Sequence, residues 1–106
     1  MRSVRVLEAA AVEAAEAAAW YEARRRGLGG EFRSELKVAL DQLCEGILPG
    51  SPWPSRLSDR GVRRILMKRF PFSVVFVTMR EEAVVLALAH HRRRPGYWRQ
   101  RLGTTK

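Results

Sequence analysis

The sequence predicts an α+β domain: a two-helix hairpin packed on a small, mostly antiparallel sheet, in the order β-α-α-β-β-β, with a short C-terminal helix or turn. Three observations predict it. Two stretches in the first half carry apolar residues at three- and four-residue spacing, with Gly27, Gly29 and Gly30 between them. Two runs in the second half are rich in Val and other β-formers and flank a polar turn. At 106 residues, 46% hydrophobic and 29% charged, the chain has material for one core and reads as a single domain over 1–106.

Taken in order, Val4 and Val6 alternate with polar neighbours, so 3–7 reads as a short strand. From Glu8 to about Arg26 the chain is rich in Ala and Glu, both strong helix formers. Leu7, Ala11, Ala14, Ala18 and Tyr21 share a face, and small Ala side chains let this helix lie close to a neighbour. Glu8 near the start and Arg24–Arg26 near the end suit the helix dipole. The glycines break the chain, one of them as a C-cap. A second helix runs from about Glu31 to Gly46, with Phe32, Leu36, Ala39, Leu40, Leu43 and Ile47 on one face, and the short connection makes the pair antiparallel. Pro49, Gly50, Pro52 and Pro54 exclude regular structure up to about residue 55, with Trp53 as a plug over the core. Residues 62–69 read as a strand of mixed polarity. Phe72–Met79 and Ala83–His90 read as a hairpin around Arg80, Glu81 and Glu82. Pro95 opens the last turn or short helix, which holds Tyr97, Trp98, Arg99 and Arg101. Leu36, Leu40, Leu43, Val75, Val77, Leu86 and Leu88 are the predicted core. The sheet face away from the helices is predicted to stay open, wholly or in part.

Charge narrows the function classes. The net charge is +9. Residues 1–55 carry seven Lys/Arg against eight Asp/Glu, a net of −1, and residues 56–106 carry thirteen against three, a net of +10. Such a field attracts a polyanion, an acidic protein or an anionic membrane surface; the plainer reading is solubility alone. The longest apolar run, near Ala83–Ala89, suits a buried strand and not a membrane span. Glu8, Glu13 and Glu16 interrupt any apolar signal core, and Cys44 has no partner for an intrachain disulfide, which fits a reducing cytoplasm. Cys44 itself reads as core, beside Leu40 and Ile47.

The segments Val62-Arg63-Arg64 and Arg69-Phe70-Pro71-Phe72-Ser73-Val74, then Ala87-Leu88-Ala89-His90-His91-Arg92-Arg93 and Pro95-Gly96-Tyr97-Trp98, form an ordered set. Upstream stand Ala18-Ala19-Trp20-Tyr21-Glu22, Gly27-Leu28-Gly29-Gly30-Glu31-Phe32 and Pro52-Trp53-Pro54. Together, over roughly residues 7–102, they resemble the RelE/ParE toxin superfamily of type II toxin–antitoxin systems, most of all its ParE-like branch. Arg94 stands where that family more often carries an acidic or polar residue. The resemblance implies a growth-inhibiting toxin with a role in plasmid stabilisation, neutralised by a cognate antitoxin that would link it indirectly to operator DNA. Some superfamily members poison DNA gyrase; others cleave mRNA on the ribosome. Fold alone does not choose between them.

Arg63, Arg64 and Arg69, with Lys68, lie along the 62–69 strand and read either as a solvated sheet edge or as a surface for phosphate or an acidic antitoxin. Strand alternation puts Arg64 and Lys68 on the side of Val62 and Leu66, and Arg63 and Arg69 on the side of Ile65 and Met67. Arg92, Arg93 and Arg94 with Tyr97, Trp98, Arg99 and Arg101 interleave cations and aromatics, the composition of a nucleic-acid or peptide platform and so a candidate target- or antitoxin-binding surface; the alternative is that Tyr97 and Trp98 simply pack the last turn on the sheet. His90 and His91 are adjacent on a strand and point to opposite faces, which suits no metal site, and no cofactor motif is present. A metal-free ribonuclease would draw on Lys68, His90, Arg93 and Tyr97; Arg93 stays protonated, so proton transfer would fall on the other three. Two hypotheses stand: a non-enzymatic poison of DNA gyrase, favoured by the ParE-like motif set, and a ribosome-dependent mRNA endoribonuclease.

Overall fold

The computed structural model describes residues 2–45, 49–54 and 61–104. In chain order the elements are β1 (Ser3–Val6), α1 (Glu8–Arg24), α2 (Leu28–Cys44), β2 (Ser51–Pro52), β3 (Val62–Leu66), β4 (Phe72–Met79), β5 (Glu82–His90) and a 3-10 helix at Arg99–Thr104. The sheet order is β1-β5-β4-β3-β2; β1 runs parallel to β5 and the other pairs are antiparallel. The α+β class and the β-α-α-β-β-β order hold, with β2 as an added edge element. The Pro-rich segment does form this two-residue strand, because at a sheet edge a proline can turn its missing N–H away from the ladder.

The two helices meet sooner than the glycine cluster predicts. Only Gly27, with φ +90°, breaks the chain; Gly29 and Gly30 lie inside α2. Gly29 faces α1 so closely that a Cβ there would stand 2.6 Å from the Ala18 carbonyl oxygen. The Glu22 carboxylate accepts the N–H groups of Gly27 and Gly29, each at 2.9 Å, and so satisfies the start of α2 from the end of α1. On α1 the buried face is Ala10, Ala17 and Ala18, with Ala14 and Tyr21 partly buried; Ala11 is exposed. An Ala-rich helix has apolar positions all round, so spacing alone sets its phase poorly. On α2, Phe32, Ala39 and Leu43 are buried, Leu36 and Leu40 partly so, and Cys44 is half-buried; Ile47 lies outside the described residues.

The helices cover one face of the sheet, over Val74, Phe76, Ala83, Val85 and Leu88. At one end Tyr21, Phe32, Phe70 and Phe72 form an aromatic cluster with ring centroids 4.8–6.3 Å apart. Val62, Val75, Val77, Val84 and Leu86 face the other way and are also buried, under Trp98, Leu102 and, in part, Trp53. The C-terminal segment thus roofs much of the face predicted to be open. Trp53 packs edge-on against Trp98 at 4.9 Å. Of the predicted core, Leu43, Val75, Val77, Leu86 and Leu88 are buried.

Two irregularities position the site. Val75 pairs with Ala87 but Phe76 pairs with Val85, so β5 carries one extra residue at this point. This bulge puts Leu86 and Ala87 on the same face and returns Leu88 to the helix side. β3 ends at Leu66 instead of continuing to residue 69, because the Glu35 carboxylate takes the backbone N–H groups of Lys68 (2.5 Å) and Arg69 (3.3 Å) into a bend. Lys68 and Arg69 therefore leave the strand alternation.

Candidate functional site

The free edge of β5 organises the site. β1 stops early, and beyond the Leu7 N–H that donates to the Val85 carbonyl no strand pairs with this edge of β5 among the described residues. Side chains satisfy that edge instead. Leu88 N–H donates to Glu13 Oε1 at 3.1 Å, and Arg101 Nη1 donates to the Leu86 carbonyl at 3.0 Å. Glu13 also takes the Arg101 guanidinium through both oxygens, at 2.9 and 3.1 Å, and the Tyr97 hydroxyl at 2.6 Å. Its side chain is only 12% exposed. Arg93 lies 3.6 Å from the same carboxylate and stacks on the Tyr97 ring at 3.7 Å. Burial, then the bond to Glu13 and its charge, raise the Tyr97 pKa well above its usual value. Glu13 likewise raises that of Arg101.

Two grooves flank this anchor. The first, of about 770 Å³, runs between α1 and the end of β5. Ala17, Tyr21, Phe72 and Leu88 supply apolar walls, Trp20 stands exposed at the lip, and Glu13, Glu16, His90, Arg92 and Arg93 supply charge and polarity. Arg24 lies over the Trp20 ring at 3.8 Å. The second groove, of about 550 Å³, lies on the sheet face away from the helices. Trp53, Arg64, Ser73, His91, Arg94 and Trp98 are among its lining residues. His90, His91 and Arg93 border both grooves.

The predicted site residues separate into three sets. Arg92, Arg93, Arg94, Tyr97 and Trp98 gather around the two grooves, as does Arg64, whose guanidinium lies 5.3 Å from the Trp53 ring centroid. Trp98 is buried, so it acts there as a wall and not as an exposed platform. Arg63 bonds to the carbonyls of Pro49 (3.4 Å) and Gly50 (3.1 Å) and ties that loop to β3. Arg69 pairs with Glu31, raising its own pKa and lowering that of the carboxyl, and clamps the bend to α2. Lys68 lines neither groove. His90 packs edge-on to Phe72 at 4.9 Å and accepts the Arg92 N–H at Nδ1. Burial, then the positive fields of Arg92 and His91, push its pKa down. Among the described residues no three His, Cys, Asp or Glu side chains come together as metal ligands would, and no helix is long and apolar enough to cross a membrane.

Glu13 and Ser73 escape a reading of the sequence. Glu13 carries one signal: it interrupts the Ala10, Ala14, Ala17 face of a helix that turns toward the sheet. Ser73 carries none beyond its place in the Arg69–Val74 motif, because its meeting with His91 is a contact across the fold.

The chain matches no protein-family model and no curated protein. Among solved structures, a chain described as "Chromosomal ParDE TA system from P. aeruginosa" aligns with a TM-score of 0.62 at 20% identity, over 85% of this chain and 96% of that one. The two chains share one fold. The likeness includes nearly the whole of the ParDE-system chain, so it describes the complete helix-hairpin-on-sheet architecture and not one motif within it.

Proposed function

We propose that the chain is the toxin of a type II toxin–antitoxin pair, bound and neutralised by a cognate antitoxin, and that it arrests growth by docking on DNA gyrase in the cytoplasm. The observation that carries the toxin reading is the fold shared with a chain of a ParDE toxin–antitoxin system. The RelE/ParE-like motif set supports it independently. The groove between α1 and β5 suits an antitoxin segment: its walls are apolar, Trp20 is an exposed anchor, and Arg92 and Arg93 favour an acidic partner. Operator DNA would be reached through that antitoxin.

The non-enzymatic mechanism draws support from the state of the proton-transfer candidates. Tyr97 is bonded to Glu13 with its pKa raised, so it holds its proton at neutral pH, and Lys68 lines neither groove. One observation favours the ribosome-dependent endoribonuclease as a second reading: His90 borders both grooves and its pKa is lowered, which favours the neutral ring a general base needs, with the lone pair of Nδ1 taken by the Arg92 N–H. Induction of the chain alone should stop growth, and co-expression of the adjacent open reading frame should restore it and yield a co-purifying complex. Purified protein should block supercoiling without ribosomes, and His90→Ala, Lys68→Ala or Tyr97→Phe should each weaken that action by no more than about 1–2 kcal/mol, the scale of one contact. Ribosome-dependent mRNA cleavage, lost by roughly 10²–10⁴-fold in one of these variants while gyrase is untouched, would replace the gyrase reading with the nuclease. Harmless expression with no neighbouring binder would end the toxin reading.

A further inference from the structure

The face of α1 turned away from the sheet carries a second apolar stripe. Of the eleven exposed residues of α1, four are charged and seven are Ala, Val or Trp. A helix face in water is ordinarily polar. Val12, Ala15, Ala19 and Ala23 recur there at three- and four-residue spacing, so they form one line along the helix. Helix propensity accounts for the alanines. It does not account for Val12 and Trp20, which form helix less readily and stand 49% and 53% exposed. A continuous exposed patch of this kind marks a surface that meets another protein.

The charges on this face say what fits it. Glu8 and Glu16 lie in the first half of α1 and Arg24 in its last turn, and among the described residues none of the three has an ion-pair partner. Glu16, Trp20 and Arg24 follow one another at four-residue spacing, and the Arg24 guanidinium lies back over the Trp20 ring at 3.8 Å. An acidic chain would be repelled by the first half of the helix and a basic one by its end. The surface that matches is the same face run in the opposite direction. In that arrangement Ala15 lies against Ala19 of the second copy and Val12 against its Ala23. Glu16 then meets Trp20 of the second copy and the Arg24 guanidinium stacked there. The helix belongs to the half of the chain whose net charge is −1, so two copies meet here with less repulsion than on the basic half.

We propose that this face of α1 is a homodimer interface, on which two copies pack antiparallel about a two-fold axis. Alanines at the centre let the helices approach closely, and a crossing of about 20°, as in helix bundles, keeps both Glu16–Arg24 pairs within reach. A 17-residue helix is roughly 25 Å long. One face of it falls short of the roughly 800 Å² per partner of a standard interface, so the dimer is weak and forms in the micromolar range. The surface meets the first groove only at Glu16 and Trp20, and the inference does not rest on the toxin assignment.

The test is sedimentation velocity on the full-length chain, from about 1 to 300 μM, a range that spans micromolar dissociation constants. The parent should pass from monomer to dimer as its concentration rises. Ala19→Arg places a long cation at the centre of the stripe, at little cost in helix propensity, and should stay monomeric throughout. Glu16→Arg and Arg24→Glu each turn two attractive pairs into repulsive ones, so each alone should raise Kd about tenfold. An equimolar mixture of these two variants rebuilds both pairs with their signs exchanged and should recover the parent's Kd. Circular dichroism confirms that each variant is folded; if Ala19→Arg is not, the mixture still decides, because its readout is association regained. The proposal is overturned if the parent remains monomeric at every concentration, with or without a neighbouring protein bound over Trp20. It is also overturned if folded Ala19→Arg dimerises as the parent does, or if the mixture associates no better than its components.

Discussion

Replacing Glu13 by Gln retains the side chain's shape and removes its charge. The two carboxylate oxygens accept four hydrogen bonds, from Leu88 N–H, the Tyr97 hydroxyl and two nitrogens of Arg101. In the variant the amide end presents hydrogens to some of these donors, and Arg101 loses the charge of Glu13. Breaking a buried ion pair by removing one partner costs about 3–5 kcal/mol. Here the side chains are 12% and 24% exposed, so water recovers part of that, and the expected loss is about 2–3 kcal/mol. In a domain of this size that lowers Tm by roughly 10–20 °C. Urea unfolding followed by far-UV circular dichroism measures it. The double variant Glu13→Gln, Arg101→Met removes both partners of the bidentate pair, so it should lose less than the sum of the single losses, by about 1–2 kcal/mol. Lys37→Ala is the control: its pair with Asp41 is 76% and 55% exposed, so its removal should change stability by no more than about 0.5 kcal/mol. A loss below about 1 kcal/mol for Glu13→Gln, or strict additivity with Arg101→Met, would refute the view that this carboxylate anchors the C-terminal segment to the β5 edge.

The helix hairpin gives a prediction with opposite signs at adjacent residues. Gly29→Ala should destabilise by about 1–2 kcal/mol, because the overpacking against the Ala18 carbonyl exceeds the helix-propensity gain; Gly30→Ala, with nothing within 4 Å, should stabilise by up to about 1 kcal/mol, both read by chemical denaturation. Stability should fall in acid in two windows. The His90 pKa is depressed in the fold, so its contribution is present above its ordinary value of about 6.5 and is lost as pH falls through the folded value; the depressed Glu31 carboxyl acts in the same sense below its ordinary 4.5. His90→Gln should flatten the upper window in unfolding curves taken between about pH 7 and 5, leaving the lower one in place. Both tyrosines are raised, so tyrosinate absorbance at neutral-to-alkaline pH should not appear at the ordinary value of 10.0 while the fold persists. In Glu13→Gln the Tyr97 titration should move down part of the way, burial being the larger cause and remaining.

Much of the fold was legible because its signals are local. Valine-rich β4 and β5 have the residue types that suit a pleated, buried surface, and Phe72–Met79 is a strand with the predicted bounds. The helix-hairpin reading needed only periodicity and a short connection. The errors came where a distant group competed with a local preference. Glycine discourages helix, yet Gly29 lies within α2, at a point where the Ala18 carbonyl of α1 leaves no room for a Cβ. Residues 67–69 read as strand, yet the Glu35 carboxylate draws their backbone into a bend. The Arg- and aromatic-rich C-terminus stood out by composition, but composition could not distinguish Arg93, which lines both grooves, from Arg63, which is bound to loop carbonyls.

The sequence by itself determined the class of the fold, the order of its elements, the basic character of its second half and the resemblance to RelE/ParE toxins. These depend on residue type and on spacing between near neighbours, which the chain carries before it folds. Only the tertiary structure decided that Glu13 closes the β5 edge with Arg101 and Tyr97, residues more than eighty positions away, and that Ser73 meets His91. It also decided that the bulge opposite Val75 returns Leu88 to the helix side and that the C-terminal segment roofs the second face. Contacts of that range depend on sheet register and on which edge is left uncovered, and both are set by the packing of the whole domain.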